Sequence, residues 1–210
     1  MPSLTLIQNT DARQQEQMQV RSLLAHDPET SGHVERISLY SSMIYERMGG
    51  NKTQCEDIKF ASMLHDIGKL KTPENILKKP GKLTHEERTI MQEHAMAGYD
   101  ILSKYNSPML KMGAIIASTH HEKWDGSGYP YGLKGEQIPL IGRIVALADV
   151  FDALSSKRCY KESWETENIL ELIHSESGTH FDPAVTKVFF DNLSFIIPIV
   201  DPNFSLPKAG

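Results

Sequence analysis

Nine residues of the chain could do chemistry together: Glu29, His33, His65, Asp66, Lys69, His94, His120, His121 and Asp149. Eight of them carry an imidazole nitrogen or a carboxylate oxygen, the donors that hard and borderline divalent ions accept. A carboxylate has two oxygens and can bridge two ions, which an imidazole cannot. Neighbours on a helix diverge by about 100°, so His65 with Asp66, or His120 with His121, are expected to serve different ions or different edges of one cluster. Eight ligands exceed what one ion takes; they suit a binuclear site, or a trinuclear one if Glu29 and His33 take part. Glu29 and His33 are four apart at a helix start and can share a face. Cys55 and Cys159 are far apart and form no C-x-x-C pair, so a metal site here is built from His and carboxylates. Single histidines are more often core or surface residues than ligands, and His26, His85, His174 and His180 are read that way. His26-Asp27 resembles a second H-D pair, but Pro28 follows and no Lys stands at the matching spacing.

Helices must position these groups, because strand-like alternation is almost absent. Ile37, Tyr40, Ile44 and Met48 share a face that Gly49-Gly50 terminates. Further helices are expected over Ile58–Ile67, from Thr84 through Met91 and His94 towards Leu102, over Leu110–His121, Ile141–Leu154, Trp164–His174 and Pro183–Phe190, with a weaker one over residues 11–25. Thr84 with Glu87 has the spacing of a capping box. Leu70–Leu83 and Trp124–Pro139 are rich in Gly and Pro, and both are expected to be non-helical loops. Loops of that length are often functional. The expected fold is all-α: a single-domain helical bundle with a long Gly/Pro-rich loop. Residues 1–25 form an N-terminal helix or linker, 26–192 the catalytic domain, and 193–210 a C-terminal tail.

Composition narrows the function. The 210 residues are 40% hydrophobic and 23% charged, enough for an ordinary core. Twenty-two Lys and Arg against 27 Asp and Glu give a net charge of −5, a poor match to duplex nucleic acid. No apolar run is long enough to span a membrane, and Met1–Met18 does not have the pattern of a signal peptide. Two isolated thiols fit a reducing compartment, and the chain is expected to be cytoplasmic.

His65-Asp66-Ile67-Gly68-Lys69 resembles the HD superfamily of metal-dependent phosphohydrolases. The string His120-His121-Glu122-Lys123-Trp124-Asp125-Gly126-Ser127-Gly128-Tyr129-Pro130 is more specific and resembles the HD-GYP family. Supporting segments are Lys79-Pro80-Gly81 with Leu83-Thr84 and Glu87, His94 and Gly98, Ala148–Leu154, and Arg158 with Tyr160-Lys161. The similarity runs from about Glu29 to Phe190. It implies Glu29, His33, His65, Asp66, His94, His120, His121 and Asp149 as metal ligands, with Asp66 bridging. It also implies two or three divalent ions, commonly iron or manganese. Lys69, Arg158 and Lys161 are implied as substrate contacts, and cyclic di-GMP or 3′,3′-cyclic GMP-AMP as substrate. The family often has R-P-Y-K where this chain has Arg158-Cys159-Tyr160-Lys161.

The mechanism expected from that resemblance is in-line attack of a metal-bridging hydroxide on phosphorus beside Asp66, with the ions, Lys69 and Arg158 stabilising the added charge. The product is pGpG, or GMP after a second cut. Gly128, Tyr129 and Pro130 are read either as a contact for diguanylate cyclase (GGDEF) partners or as a rigid loop that places His120 and His121. The lysines at 69, 71, 78, 79 and 82 are read as a solvated face or as steering for an anionic substrate. A homodimer paired through residues 1–25 is a further expectation. The competing readings are another nucleotide phosphohydrolase of the superfamily and a catalytically silent module that binds the dinucleotide or a partner.

Overall fold

The computed structural model describes residues 4–26, 29–156 and 164–200, and for residues 4–11 the backbone alone. Eleven α-helices are present among them: α1 (Leu4–Leu24), α2 (Ser31–Arg47), α3 (Lys52–Ala61), α4 (Glu74–Leu77), α5 (His85–Gln92), α6 (His94–Leu102), α7 (Pro108–Thr119), α8 (Leu140–Ser155), α9 (Thr166–Ser175), α10 (Pro183–Asp191) and α11 (Leu193–Ile196). No strand is present among the described residues, so the expected all-α bundle stands.

Side-chain chemistry sets where the helices begin and end. Asn51 with Gln54, and Thr84 with Glu87, form capping boxes that satisfy otherwise orphaned N–H groups at the starts of α3 and α5. Ser107-Pro108 and Asp182-Pro183 start α7 and α10 alike: a side-chain oxygen accepts a backbone N–H, and proline takes the first turn, where it loses no hydrogen bond. Gly49, at φ +96°, ends the first turn after α2 in a conformation that favours glycine.

One core unites the helices. Ile37, Tyr40 and Ile44 of α2 pack with Ile58 of α3, Ile116 of α7, and Ile144, Leu147 and Phe151 of α8, all fully or almost fully buried. Tyr40 meets Phe151 edge-on at 5.3 Å between centroids. Each such apolar side chain contributes about 1.5–3 kcal/mol by leaving water. Val20 of α1 and Ile196 of α11 belong to the same core, so both chain ends described here pack on the bundle.

Four expected helices have different limits. The N-terminal helix expected over residues 11–25 begins at Leu4. The helix expected over Ile58–Ile67 stops at Ala61; two 3-10 turns, Ser62–Leu64 and Ile67–Lys71, follow, with His65 and Asp66 between them. The helix expected from Thr84 to Leu102 breaks at Glu93, so His94 begins α6. The helix expected to reach His121 ends at Thr119, and His120 is its C-cap. At Ala61 and Glu93 the apolar pattern continues through the break, and each of the three breaks sets the direction of a candidate ligand. The segment Leu70–Leu83 also departs from expectation, since it contains α4.

Gly68 explains why the H-D turn carries a glycine. A Cβ there would lie 1.9 Å from the His94 carbonyl oxygen and 2.5 Å from the Gly98 nitrogen. Only a residue without a side chain lets the 67–71 turn lie on α6, which brings Asp66 against His94.

Candidate metal centre

Donor atoms from five segments converge between α2, α6, α7, α8 and the 65–69 turn. Two groups form, in each of which the donor atoms lie within 4.8 Å of one another: Asp66, His94, His120 and His121, and separately His33, His65 and Asp149. Asp66 stands between the groups. Its Oδ1 is 3.2 Å from His94 Nε2 and 3.7 Å from His120 Nε2, while its Oδ2 is 3.3 Å from His65 Nε2. Asp149 Oδ1 lies 3.5 Å from His33 Nε2 and 3.9 Å from His65 Nε2. His65 and Asp66 therefore lead into different groups, as expected of neighbours. His120 and His121 lead into the same group, with ring centroids 3.9 Å apart, contrary to the expectation for neighbours.

The imidazoles are aimed by their second nitrogens. Nδ1–H of His65 donates to Ser62 O at 3.0 Å, that of His94 to Met91 O at 2.6 Å, and that of His120 to Ala117 O at 3.0 Å. A carbonyl only accepts, so Nδ1 must carry hydrogen, and in the neutral ring Nε2 then presents its lone pair inward. His33 does the same through a side chain, donating from Nδ1 to Asp152 Oδ2 at 2.8 Å. His33 Nε2, His65 Nε2, Asp66 Oδ1 and His120 Nε2 are buried without a hydrogen-bond partner. Such orphans are rare in folded proteins. Four of them facing one place, all nitrogen or oxygen donors, fit a bound cation cluster.

Charge and burial contend at the same atoms. Burial opposes ionisation of Asp66, but His65 and Lys69 outweigh it and hold the carboxyl well below its usual range. Burial disfavours the His65 imidazolium, yet Asp66 and Asp149 push its pKa up to about 9. Burial lowers His120 and takes His121 well below the ordinary value, which favours the neutral imidazole at both. Lys69 Nζ sits 2.6 Å from both Asp66 Oδ2 and Glu29 Oε1. Glu29, just ahead of α2, places Oε2 3.8 Å from His33 Nε2 and lies outside the two tight groups. It also walls a cavity of about 540 Å³ between α1, α2 and α3, floored by Leu24, Val34, Phe60 and Met63.

The loop after His121 folds onto the cluster. Tyr129 stacks on His121 with centroids 4.7 Å apart, and its N–H donates to His121 O at 3.2 Å. The Tyr129-Pro130 bond is cis. Gly128 lies on the chain before it: a Cβ there would be 2.3 Å from Lys123 N. Buried Glu122 accepts from Tyr131 N at 2.7 Å and Leu133 N at 3.0 Å, which closes the loop.

The lysine stretch is not one face. Lys69 is half-buried in the centre, whereas Lys78 pairs with Glu74 and Lys79 with Glu87. Arg158 and Lys161 lie outside the described residues, as does Cys159. Sequence reasoning gave no role to Glu122, Asp152 or Arg36. The first two stand inside quoted motifs, but a carboxylate that orients and one that ligates look alike in sequence.

Comparisons with known proteins agree with this geometry. A cyclic di-GMP phosphodiesterase of Thermotoga maritima is 50% identical over 163 residues, which cover 78% of this chain and 44% of that protein. A 3′3′-cGAMP-specific phosphodiesterase 2 of Vibrio cholerae is 44% identical over 175 residues, 83% of this chain and 34% of that protein. The chain thus spans less than half the length of these relatives. The crystal structure of a cyclic GMP-AMP specific phosphodiesterase of V. cholerae shares the fold, with a TM-score of 0.63 at 20% identity over 87% of this chain and 49% of that one. Among the described residues, no helix is long and apolar enough to cross a membrane. With the HD domain model matching residues 17–185 and the H-D and H-H…G-Y-P residues gathered at one centre, the chain belongs to the HD domain family and is of the HD-GYP type.

Proposed function

We propose that the chain is a metal-dependent phosphodiesterase that hydrolyses cyclic di-GMP to pGpG or GMP. The observation that carries this reading is the convergence of four buried, unpartnered donor atoms from His33, His65, Asp66 and His120. Asp66, His94, His120 and His121 would hold one ion, and His33, His65 and Asp149 a second, with Asp66 facing both. Glu29 beside His33 would serve a third. Iron or manganese suits these donors, since neither group includes sulfur. When bound, such ions neutralise phosphate oxygens and acidify water.

The chain's own residues supply binding and orientation. Lys69, held between Asp66 and Glu29, is the cation that would meet a phosphate bound at Asp66. Its pKa is raised: burial opposes the charge, but the two carboxylates outweigh burial, so it stays an ammonium donor. Arg158 and Lys161 would add contacts to the second phosphate or to guanine. Tyr129 covers His121 and keeps water from that side.

A second reading, 3′,3′-cyclic GMP-AMP as preferred substrate, is favoured by the cGAMP-specific relative that matches 83% of the chain. Anaerobic purification with metal quantification, followed by chromatography of products from both dinucleotides, tests both readings. At least two ions per chain and pGpG or GMP from cyclic di-GMP are expected. A metal-loaded chain that cleaves neither dinucleotide overturns the proposal.

A further inference from the structure

Asp152 is fully buried on α8, one turn after Asp149, and carries a full set of bonds. Arg36 of α2 donates from Nε to Oδ1 at 2.6 Å and from Nη2 to Oδ2 at 2.9 Å. The same Oδ2 accepts Nδ1–H of His33 at 2.8 Å. Ser156 Oγ accepts a further Arg36 N–H at 2.7 Å. A buried carboxylate is costly unless paired and hydrogen-bonded, and the planar Arg fork supplies two parallel charge-assisted bonds that fix its plane.

We propose that Asp152, fixed by Arg36, is a positioning residue: it sets the tautomer and direction of His33 and so tunes ion affinity on the His33, His65 and Asp149 side of the cluster. The inference rests on the metal-centre reading above and extends it to two residues outside the ligand set. Of the four imidazoles whose Nδ1 bond is described, His33 alone depends on a side chain; His65, His94 and His120 use backbone carbonyls. With Nδ1–H held by Asp152, His33 Nε2 faces Asp149 Oδ1 at 3.5 Å as a lone pair.

Asp152→Asn is nearly isosteric but cannot satisfy both neighbours. If its oxygen takes the His33 side, its amide faces Arg36 Nε–H, donor against donor; the opposite flip turns the amide towards His33 Nδ1–H. Loss of such an orienting partner typically costs 10- to 100-fold in metal affinity.

The test is a double-mutant cycle on the whole chain with Mn²⁺ as probe, read by titration calorimetry and by metal per chain after desalting. Asp152→Asn is expected to weaken Mn²⁺ binding about 10- to 100-fold when His33 is present, and to add nothing in a His33→Ala background. An equal loss in both backgrounds, or none in either, overturns the proposal. If Asp152→Asn does not fold, Arg36→Lys goes through the same cycle, because it keeps the carboxylate and removes the fork; the same outcomes decide. A wild-type chain that binds no Mn²⁺ overturns the metal-centre reading and this one with it. Tight wild-type binding that Asp152→Asn leaves untouched removes this one alone.

Discussion

The two halves of the cluster are built differently. In the Asp66, His94, His120 and His121 half, two of the three imidazoles are tied to backbone carbonyls, and the third is covered by the Tyr129 ring. Burial lowers the pKa of His120 and His121 and so favours their neutral form. In the His33, His65 and Asp149 half, His33 hangs on Asp152, Asp149 is partly exposed, and nearby carboxylates favour a proton on His65. A backbone carbonyl cannot be substituted, so the first half is fixed by the fold. In the second half His65 is tied in the same way, to Ser62 O, but His33 is set by a side chain and can change without refolding the domain.

Removing the one residue the halves share should have the largest effect. Asp66→Ala is expected to lower turnover at least about 10³-fold, since the charge stabilisation supplied by bound ions is several kcal/mol, and to reduce metal in both halves. His33→Ala should cost metal on one side only. Product assays with metal analysis of the two variants compare them directly; equal metal loss in both would mean that the halves are not separable.

Gly68→Ala attacks the joint between the halves. The new Cβ meets the His94 carbonyl, so the 67–71 turn and α6 must move apart. Overpacking of this kind costs about 1–3 kcal/mol or more, to be read as a lower urea midpoint with unchanged slope. Its effect on bound metal should fall first on the group that holds both Asp66 and His94. An unchanged midpoint would show that the contact yields without cost.

Much of this was legible in sequence, and the illegible parts have physical reasons. Ligand types and order are carried by His65-Asp66, His120-His121 and Asp149, because metal chemistry restricts which residues serve. The Thr84–Glu87 box was legible because capping is local. The breaks at Ala61 and Glu93 were not, since apolar periodicity runs through them and tertiary packing decides where a helix yields. Asp152 and Glu122 were passed over for another reason: their roles depend on partners far along the chain, Arg36 and the 131–133 backbone.

Glu122 tests whether the fixed half really is fixed. Glu122→Ala leaves the Tyr131 and Leu133 N–H groups without their acceptor, at about 1–3 kcal/mol for a buried unpaired group. A urea midpoint lowered to match, with faster amide exchange confined to the loop, is the expected result. By contrast, Lys78→Ala in the other Gly/Pro-rich loop breaks only an exposed pair with Glu74 and should leave the midpoint unchanged.

Tyr129→Leu should have the smallest effect that is still measurable at the centre. Leucine keeps apolar cover over His121 but loses the stacked ring, a contact worth about 0.5–1.5 kcal/mol beyond area. Because the His121 ring is also held by the chain path from His120 and by the Tyr129 N–H bond to its carbonyl, it should stay in place. Mn²⁺ affinity is therefore expected to fall by less than about tenfold, the equivalent of that contact, with turnover at saturating metal retained. A loss as large as that of Asp152→Asn would mean that His121 is held by its neighbour's side chain, as His33 is, and the contrast between a half fixed by the backbone and a half with one ligand set by a side chain would fail.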